Sequence, residues 1–262
     1  MIHRLTLAWT GFHAAASGWS RLQNANIICR TPRLPSFHPS GKILFTAGVI
    51  SMNMRSEAAN PIFTVGHSNL EFADFLAILA ARGVRILCDV RSRPASFRFP
   101  QFNRESLEAG LSSAGVRYEF FGETLGGRPA DPRVYHEDGR VDYAARRHAH
   151  DFLEGIERTL ALSRTGVTAV MCAEEDPLQC HRFLMICPAL LERDITPAHI
   201  RRGGVLESQR DAEDRLLVLH GFDDVTSTSL FVAGREAALR DALVLQSKDF
   251  AFRASPEAAE DF

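Results

Sequence analysis

Four short apolar runs, each followed by a polar loop and then by residues at helical spacing, constrain this chain most. They fall at residues 62–65 (IFTV), 84–90 (VRILCDV), 116–121 (VRYEFF) and 167–172 (VTAVMC). Apolar runs of this length, without strict alternation, fit strands buried on both faces. Strands that alternate with helices predict a three-layer α/β fold around a mainly parallel sheet, Rossmann-like in general architecture.

The segments between the runs fit that plan. Ser68 and Glu71 have the spacing of a capping box, opening a helix that carries Leu70, Phe75, Leu76 and Leu79 and stops at Gly83. Asn103 is placed to cap a helix over residues 104–114, closed by Gly115. Residues 143–162 predict one long helix with Phe152, Ile156 and Leu160 on one face. Pro177 is placed to open a helix running to about Arg193, which Pro188 should kink. A short strand over 195–200 and a helix over 208–219 follow. Residues 122–139, rich in turn formers, read as a long loop that is either a functional lid or disordered.

Charge divides the chain unevenly. Of 30 basic side chains, six fall in the first 56 residues, where there is no acid; that leaves 24 against 32 acidic ones in the remainder. An acidic body excludes a broad nucleic-acid-binding surface, though not a local basic pocket. Residues 1–57 therefore read as a poorly ordered leader, resembling a presequence in composition, or as an extension ahead of a start near Met52 or Met54. Residues 58–220 form the expected α/β domain, and the tail, 221–262, carries no legible role. The five cysteines show no secreted disulfide framework, so a reducing cytoplasm is expected. No apolar run approaches the roughly 20 residues of a membrane span. The oligomeric state is left open.

In open parallel sheets, ligands sit beyond the carboxyl ends of the strands. The loops leaving the four runs begin Gly66-His67-Ser68-Asn69, Asp89-Val90-Arg91-Ser92-Arg93, Gly122-Glu123-Thr124-Leu125-Gly126-Gly127 and Ala173-Glu174-Glu175-Asp176. Glu174 is the first choice for a general acid or base, one step nearer the strand than Glu175 and Asp176, whose place ahead of a helix N-terminus explains them. Asp89 is either a second catalytic carboxylate or half of a structural ion pair with an arginine. His67 is either a base or phosphate contact, or a ring tied to local backbone. Ser68 reads first as the cap, with its hydroxyl a further contact. Arg91, His181 and Arg182 are the expected anion contacts.

Cys180 is either a nucleophile activated at a helix start or a small buried hydrophobe. Cys172, Cys180 and His181 lack the paired Cys-x-x-Cys of a structural zinc site, and Cys172 should point into the core, so no metal site is expected. No cofactor is specified.

The motif series Thr64-Val65-Gly66-His67-Ser68, Asp89-Val90-Arg91 with Pro94 and Ser96, Leu125-Gly126-Gly127-Arg128, and Cys172-Ala173-Glu174 through Pro177 to Cys180-His181-Arg182 resembles a bacterial family known as domain of unknown function 488. The likeness spans about residues 61–219. It implies one shared site built from these loops more than it implies a reaction, and members are sometimes labelled DNA-repair-like. The expected activity is that of a hydrolase or glycosidase acting on a nucleotide or nucleic-acid component. The alternatives are a non-catalytic module for a phosphorylated or nucleobase ligand, and cysteine-dependent thiol chemistry.

Overall fold

The computed structural model describes residues 60–222 and 232–254. The expectation for residues 1–57 falls outside them. Four runs become parallel strands: β1 (Ile62–Gly66), β2 (Ile86–Asp89), β3 (Arg117–Phe120) and β4 (Thr168–Cys172). Two short strands, β5 (Ala198–Ile200) and β6 (Leu206–Ser208), complete a six-stranded sheet of order β3-β2-β4-β1-β5-β6, antiparallel only between β5 and β6. Every residue of β2 and β4 is buried, as strands covered on both faces require. This is an α/β fold.

The register decides where the loops emerge. Gly66 is opposite Cys172, and Asp89 is opposite both Met171 and Phe120, so β1 to β4 end at one level. Their loops share one edge of the sheet.

Helices α1 (Phe72–Ala80) and α2 (Arg104–Ser113) cover one face, setting Phe75, Leu79, Leu107 and Leu111 against Val65, Leu87 and Met171. The other face, with Ile86, Cys88 and Val170, packs on residues of α5 (His150–Thr165), α6 (Cys187–Leu191), α7 (Gln209–Leu219) and α8 (Val232–Phe250). Among the described residues, no helix is long and apolar enough to cross a membrane.

Several local expectations change. Ser68 does not cap α1: it adopts a left-handed backbone, φ 47°, and the capping position falls to Glu71, which makes no side-chain cap bond. Asn103 occupies its capping position but accepts instead from the Ser96 N–H at 2.6 Å, fastening the preceding loop. The long helix over 143–162 breaks into α4 (Tyr143–Arg146) and α5, and the break lets the buried Arg146 guanidinium reach Asp151 and the Thr124 carbonyl. Residues 122–139 contain α3 (Gly122–Leu125) and a 3₁₀ turn, Pro132–Val134.

Pro177 opens a 3₁₀ turn, Pro177–Gln179, after which Cys180 returns to extended backbone. Proline at 188 has no N–H for the Leu184 carbonyl, and Arg182–Ile186 winds as a π-helix instead of kinking. Past Gly221, α8 packs on α7 through small buried residues, Ala238 and Ala242, and Gln246 donates to the Leu178 carbonyl at 2.9 Å.

Candidate functional site

The end of β2 builds a buried polar network. Asp89 accepts from the Arg91 backbone N–H (3.1 Å), Nε (2.9 Å) and Nη2 (2.6 Å), and from the Tyr118 hydroxyl (2.9 Å). Arg91 Nη2 also donates to the Phe102 carbonyl and Nη1 to His67 Nε2 at 3.1 Å. A guanidinium can only donate, so His67 Nε2 accepts, and Nδ1–H donates to the Ser68 carbonyl at 2.9 Å. The ring stacks on Phe102 with centroids 4.2 Å apart. Burial, then the Arg91 charge, lowers the His67 pKa to about 4, so it is a neutral ring. Of the five N–H bonds of Arg91, one on Nη1 is left over.

The loop after β4 is held from behind. Arg182, buried, donates from Nη1 to the Glu174 carbonyl (2.6 Å) and from Nη2 to the Glu175 carbonyl (2.7 Å). Glu175 is engaged by Arg201 and Asp176 by Arg215. Asp176 also accepts from the Leu178 N–H, closing the 3₁₀ turn. Glu174 alone of the three acids is without an ion pair among the described residues. Burial and the neighbouring Cys180 raise its pKa. Its side chain is nonetheless exposed toward the opening of the cavity described below.

The 3₁₀ turn folds Cys180 back onto the end of β4. His181 Nε2–H donates to the Val90 carbonyl at 3.1 Å, and Nδ1 lies 3.7 Å from the sulfurs of both Cys172 and Cys180. Gly127 closes over the ring, where a Cβ would stand 3.0 Å from Cγ and Nδ1. As free thiols the pair cannot ionise alike. Burial opposes a charge on either, yet the Cys172 hydrogen bond, Arg182 and His181 hold Cys180 well below the usual thiol range. The Cys180 bond, burial and Glu174 keep Cys172 well above it.

These groups wall a cavity of about 240 Å³, with Cys172, Cys180 and His181 on one side and Glu174 beside them. Arg91 and the exposed Arg93 and Arg128 face them, and Tyr143, Phe250 and Phe252 add aromatic walls. The Arg128 guanidinium lies 4.7 Å from the centroid of the Phe252 ring, and its N–H donates to Ser92 Oγ at 3.0 Å.

Of the residues expected from sequence, Glu174, Arg91, His181 and Cys180 meet at this cavity. Asp89 and His67 are not among its walls; they brace Arg91 from within. Arg182 makes its bonds to loop carbonyls. Ser68 is also outside the lining, its N–H bonded to the Ala173 carbonyl at 2.8 Å and its hydroxyl 3.4 Å from Asn69 Oδ1. Sequence reasoning weighed Arg93 only beside Arg91, expecting one of the two to reach the site, and left Arg128 in a quoted motif without a role; both Arg91 and Arg93 line the cavity. The sequence gave no signal for Phe250, the last residue of a helix that had no legible pattern, or for Phe252 just beyond that helix.

The family model described as domain of unknown function DUF488 matches residues 71–186, which include β2 to β4 and the Cys180-His181-Arg182 motif. The resemblance to that family is therefore shown over this span. No curated protein and no solved structure matches the chain.

Proposed function

We propose that the chain is a hydrolase acting on a small phosphate-bearing substrate of nucleotide type, with Glu174 as its general acid and base. One observation carries the reading: among the described residues, Glu174 is the only carboxylate lining a cavity whose rim bears Arg93 and Arg128. Neither arginine has a carboxylate partner among the described residues. Guanidinium forks suit phosphate oxygens, and the aromatic walls suit a flat ring. At about 240 Å³ the cavity is slightly below the usual range of about 300–1,000 Å³ for ligand pockets, which suits a small ligand or part of one, and the chain's acidic body does not favour a duplex. A glycosidase with paired carboxylates is less well supported, because Asp89 is committed to Arg91 and Tyr118 behind the cavity wall.

The test is a panel of ribo- and deoxyribonucleotides, followed by chromatography for released phosphate, base or sugar. Wild type converts at least one of them, and Glu174→Gln binds it with similar affinity but loses at least about 100-fold in turnover, the range for a general acid–base group. A nucleotide bound tightly and recovered unchanged by wild type would leave a binding module. Full turnover by Glu174→Gln would remove Glu174 from the chemistry.

A further inference from the structure

Cys172 Sγ, Cys180 Sγ and His181 Nδ1 lie within 4.8 Å of one another, with 3.7 Å from the ring nitrogen to each sulfur. In a tetrahedral zinc site with Zn–S of about 2.3 Å and Zn–N of about 2.0–2.1 Å, adjacent sulfur and nitrogen ligands stand about 3.6 Å apart. Both sulfur–nitrogen pairs already have nearly that spacing.

The surroundings point the same way. His181 Nε2–H is committed to the Val90 carbonyl, which fixes Nε2 as a donor and turns Nδ1, the atom left to bind a metal, toward the sulfurs. The Arg182 backbone N–H donates to Cys180 Sγ at 3.5 Å, a bond that a thiolate strengthens. The Arg182 guanidinium is 1% exposed, has no ion-paired carboxylate among the described residues, and leaves Nε without a hydrogen-bond partner. A buried cation of this kind calls for nearby negative charge. Two thiolates and the Glu174 carboxylate beside them together offset a divalent ion and Arg182, so the occupied cluster sums to zero charge.

We propose that Cys172, Cys180 and His181 hold a divalent ion of zinc type, with its fourth position open to the cavity beside Glu174. Two thiolates and an imidazole are soft to borderline donors that select zinc over magnesium or calcium. The spacing Cys-x7-Cys-His hides the site from motif reading, because the 3₁₀ turn Pro177–Gln179 brings Cys180 back to the end of β4.

The ion adds a nucleophile to the hydrolytic reading, and only this step rests on that reading. A water in the fourth position becomes acidic enough to ionise near neutrality. Its proton passes to the Glu174 carboxylate, the hydroxide oxygen bonds to the electrophilic centre as the bond from that centre to the leaving group breaks, and Glu174 returns the proton to the leaving group. One water is consumed and no electrons change hands.

The experiment uses the full chain, reduced, equilibrated with zinc chloride and passed into metal-free buffer, with metal content measured by mass spectrometry. About one zinc per folded chain is expected. Cobalt(II) in its place should give thiolate-to-cobalt charge transfer and the strong visible bands of a tetrahedral site. Cys172→Ser, Cys180→Ser and His181→Ala should each lose most of the metal, while Cys187→Ala, in the core, keeps it. Where a variant fails to fold, the wild-type cobalt spectrum decides, and absence of thiolate charge transfer overturns the proposal. So does a reduced, folded wild type that stays metal-free and is alkylated at Cys180, which would make Cys180 a free reactive thiol. A zinc-loaded chain that hydrolyses nothing in the nucleotide panel upholds the ion and removes only the hydrolytic reading.

Discussion

The Cα of Gly66 abuts the backbone carbonyl of Glu174, so that a methyl group at position 66 would overlap it and stand 3.0 Å from the Glu175 Cα. The end of β1 therefore sets the height of the loop that carries Glu174, and the contact is backbone against backbone. Nothing there can rotate away. Gly66→Ala should push this loop outward, costing about 1–3 kcal/mol as overpacking does, and should weaken ligand binding at the cavity. Urea denaturation and calorimetric titration with a nucleotide read the two effects separately. Unchanged binding in a folded Gly66→Ala protein would show that the loop is positioned by Arg182 alone.

Asp89 shows a different kind of dependence. It is fully buried, and its acceptors are taken by Arg91 and Tyr118, so its influence on the cavity passes through Arg91. Asp89→Asn leaves a buried guanidinium without its counter-charge and should destabilise the fold by about 3–5 kcal/mol. Tyr118→Phe removes one neutral donor to the same carboxylate and should cost only about 1–2 kcal/mol. Chemical denaturation of both variants checks the order. A catalytic Asp89 would instead give a stable Asp89→Asn protein without turnover.

The layers were legible in the sequence because strands buried on both faces are apolar throughout, as residues 62–65 and 167–172 nearly are. The run 116–121 carries Arg117 and Glu119, forms the part-exposed edge strand β3, and was legible by its place in the alternation of strands and helices. Strand-end placement also brought Glu174, Arg91, His181 and Cys180 to the right edge. What it could not convey was direction. Asp89 and Arg91 both leave β2, yet Asp89 turns inward to bind the arginine while an edge of Arg91 reaches the cavity. Ser68 carries a capping signature, but its left-handed backbone takes it out of the capping position. Cys172, Cys180 and His181 looked unrelated by spacing because spacing rules assume a helix after Pro177, and a 3₁₀ turn is there instead. Helix α8 was harder to see for another reason: among its described residues the buried apolar ones are the small Ala238 and Ala242. Leu239 and Leu243 beside them are only partly buried, and Val244 and Leu245 on other faces are exposed, which blurs the periodicity.

Arg93 and Arg128 allow a test of the anion reading that leaves the fold intact. Both are exposed at the rim and neither supports a core contact, although Arg128 lies over Phe252. Arg93→Ala and Arg128→Ala should each weaken nucleotide binding by about 10-fold, a charge-assisted bond's worth of free energy. Stability should move by no more than about 0.5 kcal/mol, as for other surface changes. Arg128→Lys should recover only part of the affinity, because a point charge lacks the fork. Equal binding by the double alanine variant would place the ligand elsewhere.

His199 gives the fold a defined sensitivity to acid. It is buried between Thr64, whose hydroxyl donates to Nδ1 at 2.8 Å, and Gln209, whose Oε1 accepts from Nε2–H at 3.1 Å. Burial, then the nearby Arg182 charge, lowers its pKa to about 4; Glu207 and the Gln209 bond oppose this, and Arg201 adds to it. The unfolded chain, with a histidine pKa near 6.5, thus binds a proton before the folded chain does. Stability from this group is complete above about pH 6.5, falls as pH drops toward about 4, and is lost below it, a span worth on the order of 3 kcal/mol. His199→Gln can still accept from Thr64 and donate to Gln209, so it should keep the packing and remove this part of the slope. Urea unfolding at intervals from pH 7.5 to about pH 4 compares the two proteins. Identical slopes would mean that His199 takes up its proton in the folded chain over the same pH range as in the unfolded chain, and that burial does not hold its ring neutral.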